Sequence, residues 1–148
     1  MLVANPFAKS VANPGTPLTI PRVTTSAVAP EPVRSRELST TTVLIAAFGA
    51  VDAASASGLT ERVEQHLTGY RQVVLDLSRL EFFGTAGFAM LHRVHSRCAR
   101  TGADWVLVPG AEVRRLLRVC DPEGLLPTAS NIVSAVAALA RSHTSRAG

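Results

Sequence analysis

The segment Leu80–Leu91 reads LEFFGTAGFAML, and it comes shortly after the apolar run Gln72–Leu77, which reads QVVLDL. An apolar, valine-rich run of this length predicts a buried strand. Gly84 and Gly87 then bracket a turn, and the apolar spacing from Phe88 onward predicts a helix that begins there. A buried strand that passes through a glycine turn into a helix is typical of an α/β domain.

The same alternation extends to both sides of this segment. Further strands are predicted at Thr41–Phe48, ending at Gly49, and at Asp104–Pro109, with a short edge strand at Val33–Glu37. Amphipathic helices are predicted over Leu59–Leu67, from the turn to Arg100, over Val113–Cys120 and over Asn131–Ala140. Because strands separated by helices pair in parallel through right-handed crossovers, we expect one mainly parallel sheet of four or five strands with about four packed helices.

The length of 148 residues suits one domain. Six of the nine prolines fall within residues 1–32, where no strand or helix period is seen, so this segment is interpreted as a disordered tail. The domain is expected over residues 33–142, followed by a disordered C-terminus at 143–148. Neither a long apolar run nor a secretory signal is evident, so a cytoplasmic protein is expected, without membrane contact.

The net charge of +4 and the pI near 10 raise nucleic-acid binding as a function. The basic residues are, however, dispersed among acidic ones, and fourteen of the fifteen are arginine. One Trp, one Tyr and five Phe also offer little surface for base stacking. Direct binding of nucleic acid is therefore not expected.

The turn at residues 84–87 is the most informative place for chemistry. A helix start has free backbone N–H groups and a positive dipole end, which stabilise an anion or a phosphoryl group. No Lys follows the glycines, so the turn is not a phosphate-binding loop of the usual nucleotide-binding kind. The alternative is that Thr85 caps the helix while the glycines make the bend.

Neither a nucleophile–base pair nor a set of metal ligands is visible in the sequence. No Gly-x-Ser-x-Gly elbow is present, and the two Cys and four His lack the spacing of a zinc site. The protein is therefore expected to bind a partner rather than to act as an enzyme, with no catalytic residue, metal or cofactor.

In their order along the chain these motifs resemble the STAS domain of bacterial anti-sigma factor antagonists, over about Val33–Leu139. Gly49–Asp52 (GAVD) matches the family's Gly-x-x-Asp, and Phe83–Phe88 (FGTAGF) falls on the family's Asp-Ser-Ser-Gly-Leu signature. The remaining matches are the strand Val73–Leu77, Gly102, the strand Trp105–Val108 and the helix with its Leu-rich end, Val113–Leu126.

The resemblance implies regulation of transcription by partner switching. The antagonist binds an anti-sigma factor of the histidine-kinase-like ATPase type and frees a sigma factor. The kinase then phosphorylates the second Ser of the signature, and the added charge of about −1.5 to −2 releases the antagonist. Here Ala86 stands at that position and Gly84 at the preceding acidic one, so the usual phosphorylation is not expected. Thr85 is the only hydroxyl left in the turn and is the alternative phosphoacceptor.

The partner-binding face implied by the resemblance is a set of residues around this turn. It comprises Asp52, Gly84, Thr85, Ala86, Gly87 and Phe88. Asp52 either caps a loop or contacts the partner, and Phe88 is expected to be exposed. Whether the protein forms a homodimer stays open.

Two alternatives accompany this interpretation. Cys98 and Cys120 lie on the apolar stripes of consecutive helices. They form either a redox switch or two inert buried thiols. The alternative function is a STAS-type module that senses a small ligand or belongs to a larger signalling assembly. A pocket beside the Gly84 turn would favour that alternative, whereas a closed, well-packed turn would favour a protein partner.

Overall fold

The computed structural model describes the backbone of residues 32–147 and the side chains of residues 32–142. The strands and helices alternate as the sequence predicts. In chain order the elements are β1 (Val33–Glu37), β2 (Thr42–Val51), α1 (Ala56–His66), β3 (Gln72–Phe83), α2 (Thr85–Thr101), β4 (Asp104–Pro109), α3 (Ala111–Cys120) and α4 (Ile132–Ala147).

The four strands form one sheet in the order β1-β2-β3-β4. The three strands β2, β3 and β4 are parallel, which confirms the predicted α/β class. The edge strand β1 is antiparallel to β2, so the sheet is mixed. A tight turn explains this pairing, because Leu38 N–H donates to the Thr42 carbonyl at 2.8 Å and Ser39 Oγ accepts from the Thr42 N–H at 3.1 Å.

Helices cover both faces of the sheet. The larger core lies between the sheet and α1, α2 and α3, and contains Ile45, Leu75 and Leu91. The smaller core lies under α4, where Ala135 and Leu139 pack on Val74, Val106 and Val108. Residues 73–77 of β3 are therefore buried on both faces, which is why this strand reads as a nearly continuous apolar run.

Strands β2 and β3 run further than the sequence predicts. The predicted ends at Phe48 and Leu77 are wrong because β3 contains two register shifts, so that Phe48 pairs with Arg79 and Ala50 pairs with Phe82. The shifts break the alternation of buried and exposed residues over residues 78–82, which hides the strand from a period-two pattern. Gly49, at φ 81°, continues β2 instead of ending it.

The two ends of the chain differ in what the structure describes. The segment predicted as a tail lies outside the described residues, except for Pro32, whose carbonyl accepts from Phe48 N–H at 2.8 Å. Helix α4 continues to Ala147, beyond the expected domain end at residue 142. Within residues 32–147, no helix is both long and apolar enough to cross a membrane.

Candidate functional site

The carboxyl ends of β2 and β3 lie side by side and bring the predicted site residues together. Val51 pairs with Phe83, and the N–H of Gly84 donates to the Val51 carbonyl at 3.0 Å. Parallel strands end at the same edge of a sheet, so the loop that follows β2 meets the turn that follows β3. Asp52 and the start of α2 are therefore neighbours at this edge, as the sequence predicts.

Asp52 holds the loop that leads into α1. Its Oδ1 accepts from the N–H groups of Ala54 and Ser55, each at 3.0 Å, and lies 3.1 Å from Ser55 Oγ. The Ser55 hydroxyl in turn accepts from Asp52 N–H at 3.0 Å. Hydrogen bonds from Ser55 stabilise the ionised carboxylate and lower the pKa of Asp52. The loop-capping role expected for Asp52 is thus present, on an exposed side chain.

Helix α2 begins with Thr85, and the N-cap residue is Gly84 in an extended conformation. The Gly84 carbonyl accepts from Gly87 N–H at 2.9 Å. The prediction that Thr85 caps the helix is wrong, because the capping position lies one residue earlier and no side chain caps this end. Thr85 is instead exposed in the first helical turn.

Neighbouring aromatic rings explain why both of these positions in the turn are glycine. A Cβ on Gly87 would lie 2.7 Å from Phe83 Cζ and 2.8 Å from Phe83 Cδ1, so the buried Phe83 ring occupies the space of a side chain. A Cβ on Gly84 would lie 3.1 Å from Phe82 Cε2. The turn is therefore closely packed against the end of β3.

The exposed aromatic ring at this site is Phe82, not Phe88. Phe88 is half-buried: it packs on the larger core and makes an edge contact with His92 at 4.7 Å between ring centroids. The expectation of an exposed Phe88 is wrong because its position on α2 turns towards the core. Phe82 is 51% exposed and lies beside Gly84. The exposure of Phe82 is not predicted from the sequence, because this residue follows a register shift in β3.

Ala86 borders an open groove between α1 and α2, with a volume of about 440 Å³. The groove therefore lies directly beside the glycine turn. Small side chains of Ala53, Ala56, Ser57 and Ala89 line it together with Thr60 and Met90, and the charged side chains of Glu61, Glu64 and Arg93 also border it. The Arg93 guanidinium lies 3.9 Å from the Glu64 carboxylate across the groove.

The model of the STAS domain family matches residues 34–135, which include all of the sheet except Val33 and also the turn at Gly84. The chain belongs to the STAS domain family. In sequence, this STAS domain is 34% identical over 96 residues to osmosensory protein A of Mycobacterium tuberculosis. That alignment covers 62% of the chain but only 61% of the relative's own length.

Solved structures share the fold of this STAS domain. An anti-sigma factor antagonist from Mycobacterium paratuberculosis superposes with a TM-score of 0.63 at 18% identity, over 72% of this chain and 92% of the other. The unphosphorylated form of the anti-sigma factor antagonist SpoIIAA gives a TM-score of 0.57 at 15% identity, over 67% and 89% of the two chains. At these identities the likeness extends to the fold alone.

The two cysteines of the STAS domain are free and differ in environment. Cys98 is 2% exposed inside the larger core, and burial, with a smaller effect of the Asp104 carboxylate, raises its pKa to about 11. Cys120 ends α3 and is half-buried. A buried thiol with a raised pKa is a poor nucleophile, which fits the inert role for Cys98.

Among residues 32–142, no group of three His, Cys, Asp or Glu side chains is placed to hold a metal ion. The titratable side chains of the site are likewise dispersed: Asp52 bonds within its own loop, and Glu64 is next to Arg93. The site therefore offers a partner its surface shape, backbone N–H groups and one exposed aromatic ring.

Proposed function

We propose that this STAS domain protein is an anti-sigma factor antagonist. It binds an anti-sigma factor of the histidine-kinase-like ATPase type in the cytoplasm, releases a sigma factor and so regulates transcription. The observation that carries this proposal is the meeting of the Asp52 loop with the start of α2 at one sheet edge, beside the exposed ring of Phe82.

The candidate docking site consists of Asp52, Phe82 and the turn 84–87. A half-exposed aromatic ring beside a rigid turn is the kind of group that dominates protein interfaces, because it buries a large area at a low cost in entropy. The backbone N–H groups of Thr85 and Ala86, at the helix start, have no carbonyl acceptor within the helix, so a polar or anionic group of the partner can bind them.

The control of binding differs from the usual switch of the family. Ala86 lies in the first turn of α2, where it borders the groove and has no hydroxyl to phosphorylate. A phosphate there would place about −1.5 to −2 charge inside the interface. Without it, the complex persists in the presence of ATP, unless the exposed hydroxyl of Thr85 accepts the phosphate instead.

The test is calorimetric titration of the full chain into each purified histidine-kinase-like anti-sigma factor from the same cell. The variant Phe82→Ser should weaken binding at least about tenfold, because it removes a central aromatic contact. Val119→Ser is the matched control, since Val119 is 78% exposed on α3, outside the candidate docking site. Equal affinities for the two variants, or no binding to any of these kinases, would contradict the proposal.

The groove beside Ala86 favours a second function, that of a signalling module that takes a small ligand. Its volume of about 440 Å³ falls in the range of small-molecule sites, and the 34% identical relative is an osmosensory protein. Native mass spectrometry of the chain purified from its own cell would then detect a bound small molecule. The variant Ala89→Trp, which fills the groove, should abolish that adduct. If the wild-type chain carried no bound small molecule, this second function would be excluded.

A further inference from the structure

Helix α4 leaves half of its sheet face open. It packs on β3 and β4, and its core residues Ala135 and Leu139 contact side chains of those two strands. Over β1 and β2, no helix of the described part of the chain lies on this face. Neighbouring strands are about 4.8 Å apart, so two uncovered strands leave a strip about 10 Å wide. That width is the diameter of one α-helix.

The part of the strip's floor that β2 forms is apolar. Leu44, Ala46 and Phe48 of β2 point to this face, because the alternate residues Val43, Ile45 and Ala47 point into the larger core. All three are half-buried rather than covered. Leu44, with Leu38 of the preceding turn, packs against the edge of the smaller core, so the apolar surface continues from under α4 into the open strip.

An exposed valine of α4 borders the strip. Ala138 and Ser142 line a cavity on the outer side of β4, which places the opposite flank of α4 towards β2. Val136 lies on that flank and is 40% exposed. The strip therefore has an apolar floor along β2 and an apolar side chain at its border with α4.

Positively charged side chains flank the apolar part of the strip on both sides, from β1 and from β3. Arg34 and Arg36 of β1 pair with Ala46 and Leu44, and Arg79 of β3 pairs with Phe48. The Cζ atoms of Arg34 and Arg79 lie 5.8 and 5.9 Å from the centroid of the Phe48 ring, which holds two guanidinium groups around one aromatic side chain.

These three arginines have no carboxylate partner among the side chains that the structure describes. Nearby acidic groups do not neutralise them. Asp76 accepts from the N–H and the hydroxyl of Ser78, at 3.0 and 2.6 Å, and Glu37 accepts from the Tyr70 hydroxyl at 2.7 Å. Glu81, also on β3, forms no ion pair in this part of the chain. The surplus positive charge is therefore available to a partner.

We propose that this open face binds an amphipathic helix of a partner protein, whose apolar stripe is flanked by acidic residues. The apolar stripe packs on Leu44, Phe48 and Val136, and the acidic residues pair with Arg34, Arg36 and Arg79. Such a helix completes the layer that α4 begins. The surface lies on the sheet face opposite α1 and α2, and Phe82 of the candidate docking site points to this face as well, since its neighbour Phe83 points into the larger core.

The proposal is tested with the full chain and three synthetic peptides of about 18 residues, long enough for a five-turn helix. The first carries Leu at helical spacing with Glu beside the stripe, the second has Lys in place of Glu, and the third is a scrambled form of the first. Fluorescence anisotropy should show that the first peptide binds at least about tenfold more tightly than the second and the third. Its binding should weaken as the NaCl concentration is raised.

Matched variants locate the binding. The double variant R34E/R79E, and separately Val136→Asp, should each weaken binding of the acidic peptide at least about tenfold. R97E/R100E makes the same change of charge on the exposed face of α2 and should leave the affinity unchanged, with circular dichroism as the check that all variants are folded.

Three results would overturn the proposal. The first is equal binding of the acidic and scrambled peptides, and the second is an equal effect of the two double charge reversals. The third is a dimer of the chain that is seen in light scattering and is lost in R34E/R79E. The occupant of the face would then be a second copy of the chain.

Discussion

Gly87 belongs to both the packed core and the candidate docking site. Its position must be glycine because the Phe83 ring occupies the space of a side chain there. Gly87→Ala should lower the free energy of unfolding by about 1–3 kcal/mol, since the new methyl group must displace a buried ring or the start of α2. Urea denaturation measures this change.

Gly58 provides the matched control for this substitution. It lies in α1, is exposed, and a Cβ there would meet no atom within 4 Å. Gly58→Ala should raise the free energy of unfolding by about 0.5–1 kcal/mol, because Ala is the better helix former. If both variants were stabilised, the close packing of Phe83 on Gly87 would be refuted.

The two thiols should react at different rates. At pH 8 a thiol with a pKa of about 11 is only about one part in a thousand thiolate, and Cys98 is also buried. With Ellman's reagent on the native chain, we expect one fast thiol that is lost in Cys120→Ser and one slow thiol that is lost in Cys98→Ser. The slow reaction should accelerate as the pH rises towards 11, since the thiolate is the nucleophile.

A redox switch predicts the opposite behaviour of the same thiols. Mild oxidation would then join Cys98 to Cys120, with a loss of two hydrogens in the mass of the intact monomer. That product in the native chain would contradict an inert Cys98.

At the scale of single elements, a hydrogen bond between two side chains connects α2 to β4. The buried indole of Trp105 donates from Nε1 to His95 Nδ1 at 3.1 Å, and the rings meet edge to face. His95→Ala should cost about 1–2 kcal/mol in the free energy of unfolding, because it leaves the indole N–H without this acceptor. The emission of Trp105, the one tryptophan of the chain, should also change in the folded state.

Arg97→Ala is the control for this prediction, since Arg97 lies on the exposed surface of the same helix. Urea titrations of both variants give the comparison. An unchanged stability for His95→Ala, equal to that of Arg97→Ala, would mean that the hydrogen bond contributes nothing.

Elements differ in how well the sequence predicts them, and β4 and β3 are the extremes. Strand β4 is predicted with its exact bounds, since it is a short valine-rich run between Gly102 and Gly110. The second half of β3 is missed, because its two register shifts remove the alternation that marks a strand. The exposure of Phe82 is missed for the same reason, and with it one residue of the candidate docking site.

At the scale of the whole molecule, the order of strands and helices was sufficient to predict the α/β class. Crossover helices of ordinary length make β2, β3 and β4 parallel. The same rule brings the loop at Asp52 and the turn at Gly84 to one edge. The groove beside Ala86 was not predictable, because it depends on how α1 and α2 approach each other, which their separate patterns do not encode.

In the proposed function, the central claim is that the absence of a hydroxyl at position 86 separates binding from release. The most direct test is calorimetry with a cognate histidine-kinase-like anti-sigma factor, with and without ATP, on the wild-type chain and on Ala86→Ser. We predict that the wild-type chain stays bound when ATP is present, and that ATP weakens the complex of Ala86→Ser because the new hydroxyl accepts a phosphate. Release of the wild-type chain by ATP would contradict the account. If the Thr85→Ala chain then stayed bound in the presence of ATP, Thr85 would be identified as the phosphoacceptor.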